Sequence, residues 1–140
     1  MSQYLYHFTD SLNIDSILQY GLLSWHMLDR RGIPYRSSSS KTSKMLDKRI
    51  GLQDYVRLCT KKYHPMAWRC IHDGRIQRIS WLQIDMSVIY LHDNLFSDDN
   101  AVASRSTIGN DKNLALTSTT DQAEVMIQNS LAPRYITLLN

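Results

Sequence analysis

The chain has 140 residues, 43% hydrophobic and 21% charged, which suits one domain spanning 1–140 with a buried core. No apolar run approaches the ~18 residues that cross a bilayer, and the opening residues lack a charged segment leading into an apolar stretch, so neither a membrane anchor nor a secretion signal is expected and cytoplasmic residence is. Lys and Arg number 16 against 13 Asp and Glu, and most of the cations fall between Arg30 and Arg78, a basic middle that suits the phosphates of a dinucleotide or a nucleic acid without demanding them.

Tyr4 to Phe8 alternates as a strand does, with Tyr4, Tyr6 and Phe8 on one face and Leu5 and His7 on the other. Asn13 is placed to cap a helix over 14–20, where Ile14, Ile17 and Leu18 share a face. Gly21 stands where a helix ends. Residues 22–28 are apolar, and 30–43, with Gly32, Pro34 and the serines 37–40, read as a mobile loop. Residues 54–59 read as a strand and 66–70 as the start of a helix after Pro65. The β-branched and aromatic bulk of 77–90 predicts the centre of the sheet. Residues 92–99 are turn-rich, and 101–121 read as loop with a short helix. In 123–127 the alternation returns, with Glu124 and Met126 opposite Val125 and Ile127. Tyr135 to Leu139 is a closing strand. The fold class is α+β, with strands joined mainly by loops.

Few residues carry a chemical signal. Glu124 sits in an apolar strand pattern, and a carboxylate there must face solvent or a cleft, because unpartnered burial is costly. Tyr6, His7, Phe8 and Thr9 gather rings, an imidazole and a hydroxyl within four positions, a set able to hold a planar amide and a ribose. Arg49 can clamp a pyrophosphate. The glycines are scattered, so neither a dinucleotide fingerprint nor a phosphate loop is present. Cys59 and Cys70, with His64 and His72, match no common zinc spacing, and no metal is expected. A nuclease built on His92, Asp98 and Asp99 is disfavoured because adjacent strand carboxylates point to opposite sides. Tyr35, Tyr55, Tyr63 and Trp68 are interleaved with the cations and could stack on a nucleic-acid strand, although core packing is the first expectation for such rings.

Taken in order, these pieces resemble the DarT family of DNA ADP-ribosyltransferase toxins. Tyr6-His7-Phe8-Thr9 with Asn13-Ile14-Asp15-Ser16-Ile17-Leu18 and Gly21-Leu22 resembles that family's NAD-binding opening. Lys48-Arg49 followed by Asp54-Tyr55-Val56 resembles its "KR…DYVPFYF" segment, and His64-Pro65-Met66 the "SPM" that follows. Phe96 to Ala101 resembles "FTDGNA". Gln122-Ala123-Glu124-Val125-Met126-Ile127 with Pro133 resembles "QAEVLV…P". The chain departs from the pattern after Val56, where Arg57-Leu58-Cys59 replaces proline and aromatics.

The resemblance implies an ADP-ribosyltransferase-like fold with a central, mainly antiparallel split sheet and a few short helices. It implies NAD as co-substrate and a base of single-stranded DNA as acceptor, with RNA or a protein side chain as alternatives. A binding module without transfer activity is the other class, against which Glu124 speaks. The roles implied are Glu124 and Arg49 for catalysis, and Tyr6, His7, Thr9, Arg49 and Tyr55 for NAD. A macrodomain hydrolase that reverses the mark is the implied partner. No apolar stripe demands a second copy, so a monomer is expected.

Overall fold

The computed structural model describes residues 4–62 and 65–139. Tyr63 and His64, named above as a stacking ring and a motif residue, lie outside the described residues.

Strand β1 (Tyr4–Asp10) pairs with β4 (Ile79–Asp85) along its full length, from Tyr4 opposite Asp85 to Asp10 opposite Ile79. On its other side it meets β3 (Tyr55–Cys59) at a single position, Tyr6 opposite Cys59. Beyond β3 the ladder is full again. Strand β7 (Glu124–Gln128) pairs with all of β3, β5 (Leu95–Ser97) with β7, and β6 (Ile108–Gly109) with β5. Strand β9 (Ile136–Leu139) closes the far edge against β4. The order is β6-β5-β7-β3-β1-β4-β9, and every pairing is antiparallel. The sheet is therefore split at the β3–β1 seam, where two fully paired halves touch at one residue pair and then part. Strands β2 (Leu22–Leu23) and β8 (Ser130–Leu131) form a separate two-stranded ladder whose Leu22 and Leu131 join the main core.

The expected centre of the sheet is corrected. The strand in 77–90 stops at Asp85, whose carboxylate accepts from the Ser87 N–H and starts a 3-10 turn over Met86–Tyr90. That strand lies next to the edge, and β3 holds the centre. Part of the apolar bulk, Val88 and Ile89, belongs to the turn, so hydrophobicity alone misplaced the strand's rank. The main core gathers Leu5, Leu58, Leu82, Ile84, Val125 and Ile127, all essentially inaccessible. Burial of each such side chain is worth roughly 1.5–3 kcal/mol. Met126, expected on the open face of β7, is also fully buried, against Leu52 and Ala101. Both faces of β7 are covered, so Glu124 at its end can only open into a cleft.

Helix α1 (Ile14–Tyr20) forms where the spacing predicts it. Asn13 stands at its N-cap but makes no capping bond; a 3-10 turn precedes it, capped by the Asp10 carboxylate. Gly21 ends α1 at φ 85°, ψ −173°, a conformation open almost only to glycine. A Cβ there would clash with the Leu131 carbonyl oxygen of β8. Helices α2 (Trp25–Arg31) and α3 (Lys41–Arg49) flank a loop shorter than expected. Ser24 and Ser40 cap them, each hydroxyl accepting a backbone N–H at 3.1 Å. Helix α4 (Pro65–His72) and the short α5 (Asn113–Leu116) complete the set. No described helix is long and apolar enough to cross a membrane.

Candidate functional site

The seam between β1 and β3 opens into a cleft. Where the ladder fails, the His7 side chain spans the gap, its Nδ1–H donating to the Arg57 carbonyl at 2.8 Å. That bond fixes the tautomer and leaves Nε2 as an acceptor. Burial holds the imidazole below its ordinary value, against the smaller upward pull of the Arg57 carbonyl, so it is neutral at pH 7. Two steps along, the buried Thr9 hydroxyl accepts from Asn13 Nδ2 at 2.9 Å.

Two cavities of about 140 Å³ each make up the cleft. The first is lined by His7, Thr9, Tyr35, Arg36, Tyr55 and Arg57. The second holds Glu124, Asp47, Cys59, Met66 and Asn100. His7, Trp25, Ser38, Ser39 and Arg57 line both, so one furrow is divided by the serine loop. That loop is tied down. The Ser38 carbonyl accepts from Arg75 Nη1 at 2.7 Å, and Asn13 brackets Arg36 with bonds of 2.7 and 2.8 Å.

Glu124 is 13% exposed and anchors the second cavity. Its Oε1 accepts from the Ala101 N–H at 2.7 Å and from Arg57 Nη1 at 3.1 Å; among the described residues Oε2 has only a 3.4 Å contact, with the same nitrogen. Arg57 reaches the other way to Asp47 Oδ1 at 2.5 Å, and Asp47 Oδ2 accepts from the Trp25 indole N–H at 3.0 Å. Burial opposes the guanidinium charge, but Glu124 and Asp47 outweigh it and its pKa shifts upward. Burial pushes the Asp47 carboxyl up, and Glu124 adds to the push, while Arg57 and Trp25 pull it down without cancelling it. One cation thus faces two carboxylates.

The cationic wall lies along α3. Lys44 Nζ sits 5.2 Å from the Trp25 ring and 5.1 Å from the Tyr35 ring, and donates to the Tyr35 hydroxyl at 2.9 Å. Burial, with help from Asp29, pushes the Tyr35 phenol up to about 12. Trp68 on α4 is 61% exposed.

Of the residues singled out in the sequence, the fold brings His7, Thr9 and Tyr55 into the first cavity and Glu124 into the second. Tyr6 lines neither. Arg49 is exposed at the end of α3 and also lines neither. The guanidinium beside Glu124 belongs to Arg57, which sequence reasoning noted only as a departure. Its one signal was a cation between Val56 and Leu58, both buried in the core. Asp47 and Trp25 gave no signal. Cys59 and Cys70 are separate, buried thiols, both raised by burial. Among the described residues no group of three or more His, Cys, Asp or Glu could hold a metal ion. Asp98 and Asp99 have their own partners, the Thr107 N–H and Arg105.

Residues 6–119 match the family model described as "ssDNA thymidine ADP-ribosyltransferase, DarT"; the matched region stops just short of Glu124. No curated protein matches the chain by sequence. Among solved structures, the Thermosipho africanus DarTG in complex with ADP-ribose is 21% identical, with a TM-score of 0.82, covering 97% of this chain and 43% of that one. The Thermus sp. 2.9 DarT in complex with ADP-ribosylated ssDNA is 20% identical, with a TM-score of 0.70 over 91% of this chain and 76% of that one. The same protein in complex with NAD+ is 18% identical, with a TM-score of 0.68 over 96% and 79%. The chain spans less than half of the first of these and about three quarters of the second. At such identities the shared property is the fold, including the antiparallel seven-stranded sheet.

Proposed function

Because the chain belongs to the DarT family of ssDNA thymidine ADP-ribosyltransferases, we propose that it transfers ADP-ribose from NAD to a base of single-stranded DNA, with Glu124 as its catalytic carboxylate. The observation that carries this is the placement of Glu124. Its Oε1 is held by Ala101 and Arg57, while among the described residues Oε2 has no partner closer than 3.4 Å, in a cleft shared with a neutral His7.

The chemistry follows from that geometry. The bond that breaks joins the nicotinamide nitrogen to C1′ of its ribose, and nicotinamide leaves with the electron pair. Positive charge builds on the ribose, and a fixed carboxylate in a partly desolvated cleft stabilises it. A base nitrogen then bonds to C1′ and its proton passes to Glu124. His7 Nε2 accepts from a ribose hydroxyl or from the nicotinamide amide, and the Thr9 hydroxyl donates to the same unit. Tyr55 supplies a wall of the first cavity, and Tyr6 supports β1 from outside it. The pyrophosphate needs a cation at the rim of the first cavity. Arg36 is engaged there with the Arg75 and Gly74 carbonyls. Arg49, whose side chain makes no hydrogen bond or ion pair among the described residues, is free to meet a phosphate.

These residues make one catalytic unit of 1–140, acting as a monomer in the cytoplasm, and its partner is a macrodomain hydrolase that removes the mark. The cations of α3 and the exposed Trp68 suit a single strand, by charge and by stacking.

The test is the intact mass of a mixed-sequence single-stranded DNA after incubation with NAD and the protein. A gain of one ADP-ribose with wild type and none with Glu124→Ala supports the reading. Modification of RNA or of a protein instead would reassign the acceptor, and NAD binding without any cleavage would leave a binding module.

A further inference from the structure

Arg57 plays no part in the steps above, yet its guanidinium is held at both ends by carboxylates of the cleft. It projects from β3 at 22% exposure, with Nη1 on Glu124 and Nη2 on Asp47. Its own carbonyl receives the His7 Nδ1–H. One residue of the central strand therefore touches the carboxylate, its counterweight and the imidazole.

We propose that Arg57 is the positioning residue of the site, turning Glu124 so that Oε1 is occupied by protein donors and Oε2 is presented to substrate. The inference rests on the transfer chemistry proposed above. Three observations argue for it. First, the two good bonds to Glu124, from Arg57 and from the Ala101 N–H, converge on the same oxygen, whereas the contact to Oε2 is at the weak end of the hydrogen-bond range. Second, Asp47 holds the far end of the guanidinium and is itself held by the Trp25 indole. A planar fork fixed at one end transmits orientation to the other, which a lysine ammonium cannot do. Third, a pair built for stability alone would satisfy its donors, but Arg57 Nε is buried with no acceptor among the described residues, and buried pairs are weak stabilisers in any case.

The second carboxylate also has a reason. An arginine paired with Glu124 alone would neutralise it. With Asp47 added, the cluster keeps one net negative charge beside the place where cationic character develops on the sugar. Arg57 orients Glu124 without cancelling it.

The full chain is compared as wild type, Arg57→Lys, Arg57→Gln and the double variant Asp47→Asn/Arg57→Gln, by kcat and KM for NAD cleavage and by NAD affinity from intrinsic fluorescence. Arg57→Gln leaves two carboxylates side by side and can fail to fold; the double variant removes that repulsion. The expected result is a kcat loss on the order of 100-fold in both glutamine variants, as for a small misplacement of a reacting group. In the double variant, which keeps the wild-type net charge of the cluster, NAD affinity and KM should stay within about threefold, and Arg57→Lys should recover only part of kcat. A folded glutamine variant with kcat within about threefold of wild type overturns the inference. So does a loss of kcat that merely tracks the folded fraction or the loss of NAD binding. A wild type that cleaves no NAD overturns the function reading, and this inference with it; an active wild type with unimpaired variants overturns the inference alone.

Discussion

Glu124→Gln tests whether the charge at the cleft is there for the reaction or for the fold. In the wild type one guanidinium faces two carboxylates, so removing one charge leaves Arg57 matched one-to-one with Asp47. The glutamine oxygen can keep the Ala101 and Arg57 bonds that Oε1 now accepts. Its amide nitrogen takes the place of Oε2, which among the described residues has only the 3.4 Å contact. Stability should therefore change by no more than about 1 kcal/mol, a shift of a few degrees in Tm. The reaction should suffer far more. For a carboxylate about 4 Å from a developing positive charge, at an effective dielectric near 20, the lost attraction is about 4 kcal/mol. That corresponds to a rate factor on the order of 1,000. Nicotinamide in NAD is already cationic, so a smaller part of the loss, about tenfold, should appear in NAD affinity. Thermal melts, NAD titration and single-turnover cleavage separate the three. A folded variant that cleaves NAD within about threefold of wild type would refute the electrostatic argument. A variant that unfolds would refute the claim that this charge is surplus to the fold.

Three further outcomes are expected. Gly21→Ala should cost about 3 kcal/mol or more, from the glycine-only backbone conformation and the clash with the Leu131 carbonyl, seen as a fall in Tm of roughly 10 °C; an unchanged Tm would mean that β8 gives way freely. His7 is held below its ordinary pKa by burial, so the unfolded chain binds its proton more readily than the native one. Stability contributed by this residue should rise with pH from its lowered value up to about 6.5 and be flat above that. Subtracting the pH profile of His7→Gln melts isolates the slope, and no difference between the profiles would sink the assignment. Trp68→Ala should leave NAD cleavage and Tm intact while weakening single-stranded DNA by about 1–3 kcal/mol, if the exposed ring stacks on a base; equal DNA affinity in a binding titration would remove Trp68 from the path of the strand.

Local pattern carried much of the architecture. The alternation over Tyr4 to Phe8 became β1, the i, i+3, i+4 spacing with Gly21 became α1, and the pattern around Glu124 became β7. The short helix in 101–121 is α5. Helices α2 and α3 escaped for a physical reason. α2 buries no residue fully and α3 buries only Asp47, so neither has the apolar stripe that betrays a helix. Their signal lay in the caps Ser24 and Ser40, and Ser40 was hidden in a run of serines. Strands of two or three residues, β2, β5, β6 and β8, are too short to show a period at all.

The sequence by itself therefore determined the strand and helix segments with a repeating apolar face, and through the family resemblance it pointed to Tyr6, His7, Thr9, Arg49, Tyr55 and Glu124, of which the fold gathers His7, Thr9, Tyr55 and Glu124 along the cleft. Only the tertiary structure decided that β1 and β3 meet at one residue pair and part, and it is this parting that makes a cleft out of a sheet. It also decided which cation stands beside Glu124. Arg57 lies 67 residues from Glu124 and 10 from Asp47 along the chain, separations at which no local pattern can record a contact. The strand ladder closes those distances, and the fixed fork of the guanidinium then selects the pair of carboxylates it can hold.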